Sequence, residues 1–243
     1  AREHNLVALR HSFIDDLETP VSAFLKLRGR DPQFPAFLLE SAEQGQRVGR
    51  FSFIGVRPRK VVRWSLGDDG DPYALAAAEV GAFSQAPFPE APPFAGGAVG
   101  FFGYDLVRTV EPLGEPNPDA VGLPDMALML SDVLVVFDHL KHTVTILANA
   151  DVDEPGGEAA ARERIAEVRE RLAGPLPRPA TRPGVREEPT FEPNLSRPEF
   201  EAMVARIVEY VHAGDAFQVV PSQRWSAPVP VEPFSIYRGL RAV

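Results

Sequence analysis

A long segment rich in proline and arginine divides the chain and limits what either part can fold into. Residues 174–195 contain many Pro, Arg and Glu residues without helical or strand periodicity. Such a composition favours a surface connection over a packed element. The sequence therefore predicts an N-terminal region over residues 1–173, a linker over 174–195 and the beginning of a second domain over 196–243.

The composition is that of a folded protein, and it excludes some classes of ligand. The 243 residues are 44% hydrophobic, carry a formal net charge of −9 and include no cysteine. The acidic balance argues against a nucleic-acid or anionic-membrane surface, since both ligands favour basic patches. The lack of cysteine excludes disulfides and thiolate metal sites. No run approaches the roughly 20 apolar residues that a membrane-spanning helix needs.

The N-terminal region is predicted to contain short strands and helices. Three apolar or alternating runs favour strands: residues 34–41, 50–55 and 61–66. The alanine-rich residues 73–83 favour a helix. Two apolar, β-branched runs, 127–137 and 142–149, are separated by four turn residues and predict a hairpin. A charged helix is expected over 158–172, and periodicity alone indicates a mixed α/β or α+β protein.

The glycine-rich residues 96–103 indicate a place where strands approach closely. The segment lacks the Gly-Lys-Ser/Thr ending of a phosphate-binding loop. Its glycines are therefore interpreted as positions where backbones cross or a strand bulges beside aromatic side chains. Those aromatic neighbours are Phe101, Phe102 and Tyr104.

The residues after the linker begin with a helix signal. Ser196 and Glu199 have the spacing of a capping box, in which each side chain binds the backbone amide of the other residue. Apolar residues recur on one face from Phe200 onward, and Gly214 is placed to end the helix in a left-handed conformation. A strand over residues 216–220 is predicted to follow.

Three stretches resemble one enzyme family, and they occur in the order expected for it. Residues 214–225 resemble the opening of the chorismate-binding domain of anthranilate synthase component I. The second stretch consists of residues 37–43 followed by residues 49–55, and the third is residues 96–105. The chain is thus similar to the N-terminal half of a member of the chorismate-binding enzyme family. The resemblance implies an α+β protein, the N-terminal portion of the layered α/β/β/α chorismate-utilising fold.

Two other interpretations remain open. Aminodeoxychorismate synthase component I, of the folate branch, shares the first and third stretches more loosely. Phe217-Gln218-Val219-Val220, followed by Ser222-Gln223-Arg224, is closer to the anthranilate branch. The second alternative is a stand-alone, non-catalytic module that binds an amino acid for regulation.

The family resemblance implies a cytoplasmic lyase of tryptophan biosynthesis. Such an enzyme converts chorismate and ammonia to anthranilate and pyruvate with Mg²⁺, and a glutamine amidotransferase subunit supplies the ammonia. Homo-oligomers are a further expectation. By resemblance, the Mg²⁺ carboxylates and the acid/base groups would lie beyond Val243. The sequence therefore assigns no catalytic residue and no metal ligand, and it predicts that this chain alone is inactive.

Five residues are candidates for binding a regulatory amino acid: Leu39, Glu40, Ser41, Arg50 and Ser52. A free amino acid needs an anion for its ammonium, donors for its carboxylate and a dry slot for its side chain. Without the family, Leu39 reads as core, Glu40 as an edge charge and Ser41 as a turn cap. The resemblance instead implies that this element binds the feedback inhibitor tryptophan.

Overall fold

The computed structural model of the protein has two compact units, Ala1–Arg178 and Pro179–Val243. It describes residues 3–29, 35–41, 49–116, 118–177, 188–229 and 231–242. The division between the units falls within the proline- and arginine-rich segment 174–195.

The elements of the first unit follow in chain order. They are β1 (Leu6–Ile14), α1 (Pro20–Arg28), β2 (Ala36–Leu39), β3 (Phe51–Val56), β4 (Lys60–Trp64), α2 (Pro72–Gly81), β5 (Gly97–Phe102), a 3₁₀ helix (Tyr104–Thr109), β6 (Met126–Ser131), β7 (Val133–Asp138), β8 (Thr143–Asp151) and α3 (Gly157–Ala173). The second unit contains β9 (Glu192–Pro193), α4 (Arg197–Ala213), β10 (Trp225–Ser226) and α5 (Pro233–Leu240).

Two antiparallel sheets form the middle layers of the first unit. The larger has the strand order β1-β8-β7-β3-β2, and the smaller has the order β4-β6-β5. Helices α1 and α3 contact the five-stranded sheet, while α2 contacts β6 of the smaller sheet. Val99 and Met129 of the smaller sheet pack against Phe37, Leu134, Val136 and Leu147 of the larger one. The order helix, sheet, sheet, helix confirms the predicted layered α+β architecture.

The prediction of one strand over residues 127–137 is wrong, because the chain changes sheets at Asp132. β6 belongs to the three-stranded sheet and β7 to the five-stranded sheet. The Asp132 carboxylate accepts a hydrogen bond from Arg59 Nε at 2.6 Å. Arg59 lies between β3 and β4, where the chain also changes sheets. The Arg59–Asp132 ion pair thus joins the two places where the chain passes from one sheet to the other. The hairpin of β7 and β8 is confirmed.

The glycine-rich segment crosses its neighbour as closely as predicted. Gly100 lies opposite Leu128 in the pairing of β5 with β6. A Cβ atom added at Gly100 would be 1.9 Å from the carbonyl oxygen of Ala127. At Gly103 the corresponding distance to the Asp125 oxygen would be 2.9 Å. Side chains at either position would force the two backbones apart.

The second unit shows the predicted helix but not the predicted strand. Ser196 and Glu199 form the capping box of α4, and Gly214 ends the helix with φ of 85°. Residues 216–220 are not a strand, although their side chains favour one. A strand requires backbone partners on a neighbouring segment, and none of the described residues pairs with this one. Phe217 is 96% exposed and Val220 is 79% exposed.

Candidate effector-binding site

The structure brings the two predicted binding segments together at one end of a strand pair. β2 and β3 are antiparallel, with Leu39 opposite Phe53. Continuing that register places Glu40 beside Ser52, and Ser41 follows where β2 has ended. Glu40 is half-buried, whereas Ser41 is exposed. Two segments that are apart in the sequence therefore meet at the same end of this strand pair.

The candidates divide between the two faces of the sheet. Successive side chains in a strand point to opposite faces. Leu39 therefore shares a face with Phe37, which belongs to the cluster between the two sheets. Glu40 falls on the other face, together with Ser52. Because β2 ends at Leu39, a ligand at the end of the strand can reach both the apolar face at Leu39 and the polar face at Glu40.

Ser52 is buried and bound to a histidine that the sequence did not assign to the site. Ser52 is only 2% exposed. Its Oγ lies 2.8 Å from Nε2 of His139. The backbone N–H of His139 donates to the carbonyl oxygen of Arg50 at 2.9 Å. His139 lies in the turn between β7 and β8, so its proximity to β3 depends on the strand order. No local pattern in the sequence reveals that order.

Arg50 is held by a carboxylate at the end of β7. Its Nε donates to Asp138 Oδ1 at 2.9 Å and its Nη2 to Oδ2 at 2.6 Å. The two hydrogen bonds form a bidentate pair, the geometry that favours arginine over lysine. The hydrogen bond to Asp138 raises the pKa of Arg50, and the bond from Arg50 holds the pKa of Asp138 below its usual value. Arg50 therefore offers a ligand only its remaining N–H groups.

The Arg50–Asp138 pair predicts how stability changes in acid. Asp138 has a lower pKa in the folded protein than its ordinary value of 3.8. Its contribution is therefore fully present above that value and is lost as the pH falls through the folded pKa. Asp138→Asn should lower the melting temperature at pH 7, and the difference from the wild type should shrink below about pH 3.5.

Asp138→Asn removes the charge of the side chain but keeps an acceptor oxygen. Asp138 Oδ1 also accepts hydrogen bonds from the backbone amides of Leu140 and Lys141. An asparagine oxygen can still accept those bonds. Glu163→Gln, which removes an exposed carboxylate from α3, serves as the control. A difference between Asp138→Asn and wild type that stays constant down to acid pH would contradict the assignment.

The described residues assign no magnesium site. Mg²⁺ takes oxygen ligands in near-octahedral geometry, commonly one or two carboxylates with water and substrate oxygens. Within the described part of the chain, no three His, Cys, Asp or Glu side chains are grouped so that they could hold a metal ion. No chemical step through Mg²⁺ is therefore assigned to these residues.

Comparison with known proteins gives the family. Residues 34–243 match the family model described as chorismate binding enzyme. The chain belongs to this family. Its relatives include anthranilate synthase component 1 from Thermus thermophilus, 43% identical over 96% of this chain and 50% of the relative. The protein of the same name from Pseudomonas aeruginosa is 37% identical over 98% of this chain and 52% of the relative.

A solved structure supports the relationship at the level of the fold. The crystal structure of anthranilate synthase component I from Streptococcus pneumoniae has a TM-score of 0.69 and 29% identity. The match covers 95% of this chain and 52% of that one. This chorismate-binding enzyme chain thus spans about half the length of the relatives it matches.

The family motif at residues 214–225 has a structural role in the second unit. Gln223 Nε2 donates to the carbonyl oxygen of Leu195 at 2.9 Å. The backbone N–H of Arg224 donates to Asn194 Oδ1 at 2.7 Å. Both bonds tie the motif to the residues that precede α4. Among the described residues, none of the helices combines the length and the apolar character needed to cross a bilayer.

Proposed function

We propose that this chain is part of an anthranilate synthase component I, which converts chorismate and ammonia to anthranilate and pyruvate. The observation that carries the proposal is the match of nearly the whole chain to relatives of that name, at up to 43% identity. The proposed protein acts in tryptophan biosynthesis in the cytoplasm. It uses Mg²⁺ and receives ammonia from a glutamine amidotransferase subunit.

Within this function, the described residues supply control rather than chemistry. Tryptophan would bind where β2 ends beside β3, with its ammonium on Glu40 and its carboxylate on Ser41 and the remaining donors of Arg50. Leu39 offers apolar contact for the indole. Ser52, buried against His139, supports the site from beneath. Feedback then requires that tryptophan bind one arrangement of the protein more tightly than another.

A test on the full-length protein separates the two chorismate-using alternatives. With chorismate, Mg²⁺ and excess ammonium, the proposal predicts the fluorescence of anthranilate together with release of pyruvate. An aminodeoxychorismate synthase component would instead accumulate aminodeoxychorismate and release no pyruvate. The second outcome would replace the proposal with the folate branch.

A protein of residues 1–243 alone is expected to give only background fluorescence in the same assay. The family resemblance implies that the Mg²⁺ carboxylates and the acid/base groups lie outside residues 1–243. The full-length protein at equal concentration is the positive control. Steady turnover by material shown by mass spectrometry to be free of the longer protein would disprove this expectation.

The compactness of the first unit favours a second candidate function. Ala1–Arg178 forms a separate compact unit, as a self-sufficient amino-acid-binding module would. Such a module would bind tryptophan in the absence of any other part of the protein. Calorimetric titration of residues 1–178 with tryptophan distinguishes the two. Binding as tight as that of the full-length protein favours the module.

A further inference from the structure

A cavity beneath the proline-rich residues 86–95 has the size of a small-molecule site. Its volume is about 790 Å³, within the roughly 300–1,000 Å³ of typical ligand pockets. Residues of β1, β3, β7 and β8 line it from the five-stranded sheet, and Phe88 and residues 90–93 line it from the covering segment. Arg10 Nη1 donates to the carbonyl oxygen of Pro89 at 2.8 Å and so joins the sheet to its cover.

The covering segment is also fixed at its far end. The side-chain amides of Gln85 and Asn149 both donate to the carbonyl oxygen of Ala95, at 3.2 Å and 3.0 Å. Gln85 further donates to Asn149 Oδ1 at 2.6 Å. These hydrogen bonds hold the covering segment in place over a cavity that remains open to solvent on one side.

Polar residues of β1 and β8 form part of the sheet side of the cavity, whereas the opposite face of β8 is apolar. On β8, Val144, Ile146 and Ala148 are buried, as the core face of a strand requires. The alternate residues Thr143 and Thr145 line the cavity instead. Thr145 Oγ1 is 2.9 Å from Ser12 Oγ on β1. Hydroxyls in these positions can bind a ligand, whereas packing alone would favour aliphatic side chains.

Of the positively charged side chains around the cavity, Arg10 has no carboxylate partner among the described residues. Arg50 is paired with Asp138, and Lys141 Nζ is 3.7 Å from Glu90. Arg10 donates to a neutral carbonyl, and within the described residues no carboxylate lies at ion-pair distance from it. A guanidinium has five N–H donors, so Arg10 can still bind an anion. With Arg50 and Lys141 each near a carboxylate, the remaining positive charge on Arg10 favours a ligand with a single negative charge.

Aromatic and aliphatic side chains form the remaining wall. Phe51 and Phe88 line the cavity together with Val136 and Leu147. Aromatic walls favour flat rings in stacked or edge-on arrangements. We propose that this cavity binds a small aromatic monocarboxylate, with the carboxylate on Arg10 and the hydroxyls of Ser12 and Thr145, and the ring against Phe51 and Phe88.

This site shares Arg50 with the proposed tryptophan site, but the residues proposed to bind its ligand's carboxylate lie elsewhere. Arg10 and Ser12 belong to β1, whereas Glu40 and Ser41 follow β2, and these two strands are the opposite edges of the five-stranded sheet. The proposal therefore does not depend on feedback by tryptophan or on the lyase reaction.

Calorimetric or NMR titration of the full-length protein with benzoate, benzamide and inorganic phosphate tests the proposal. We expect saturable binding of benzoate, at least tenfold weaker binding of the neutral benzamide and weaker binding of phosphate. Arg10→Gln should weaken benzoate binding roughly 10-fold to 100-fold, as expected for loss of a charge-assisted bond. Thr145→Val, which keeps the side-chain shape, should weaken it severalfold.

Two controls make the result specific. Arg162→Gln removes an exposed arginine on α3, and Glu40→Gln alters the proposed tryptophan site; both should leave benzoate binding unchanged. Absence of saturable benzoate binding, equal affinity for benzamide, or tighter binding of phosphate overturns the proposal. So does unchanged affinity in both Arg10→Gln and Thr145→Val, or loss of affinity in Glu40→Gln.

Discussion

Replacing Gly100 by valine should prevent the first unit from folding. Any Cβ at this position would be 1.9 Å from the Ala127 carbonyl oxygen and 2.9 Å from Leu128 Cα. Both neighbours are backbone atoms of β6, the central strand of its sheet, so rotating a side chain cannot relieve the clash. The two strands would have to separate, which breaks their hydrogen bonds and the packing of Leu128.

The expected cost is at least about 3 kcal/mol, the upper range for overpacking a core. That is a large part of a typical domain stability of about 5–15 kcal/mol. The measurement is soluble yield and urea unfolding of the full-length protein. Gly100→Ala should show a milder form of the same defect. Gly114→Val is the matched control, since a Cβ there has nothing within 4 Å. Equal stability of Gly100→Val and Gly114→Val would show that β5 can shift without cost.

Under the proposed function, loss of the Glu40 charge should weaken inhibition of the full-length protein by tryptophan. If Glu40 binds the ammonium and Ser41 the carboxylate, each substitution removes one charge-assisted hydrogen bond. Such a bond contributes about 1.5–3 kcal/mol, which corresponds to roughly 10-fold to 100-fold in affinity. In the full-length protein, Glu40→Gln and Ser41→Ala should raise the tryptophan concentration for half-inhibition by that factor.

Turnover without tryptophan separates this effect from damage to the fold. Neither residue is assigned to the reaction, so uninhibited activity should stay near the wild-type value in both variants. Glu163→Gln, on α3, should change neither quantity. If half-inhibition by tryptophan stays at the wild-type concentration in both variants, Glu40 and Ser41 are structural residues at the end of β2.

Local signals in the sequence predicted local structure well. The capping box at Ser196 and the end of α4 at Gly214 depend on residues a few positions apart, and both are confirmed. The close approach at Gly100 was also predictable, because glycine in a strand commonly marks a neighbouring backbone. The layered arrangement followed from the family resemblance.

The errors arose where structure depends on distant partners. An apolar run such as 127–137 reads as one strand, because its two halves have the same side-chain preferences although they join different sheets. Residues 216–220 have strand composition but no ladder partner among the described residues. At the candidate site, the contact of Ser52 with His139 arises because β3 and β7 are neighbours, and the sequence does not specify which strands are neighbours.

The pairing of β1 with β8 delays completion of the fold during synthesis. Leu6 pairs with Asp151 and Ile14 with Thr143, so the first strand of this unit must wait for its last strand. At about 5–20 residues per second, that interval is on the order of ten seconds. Contacts so distant along the chain are associated with slow folding. The nascent chain therefore has a period in which an unpaired edge is exposed and assistance from chaperones has the greatest effect.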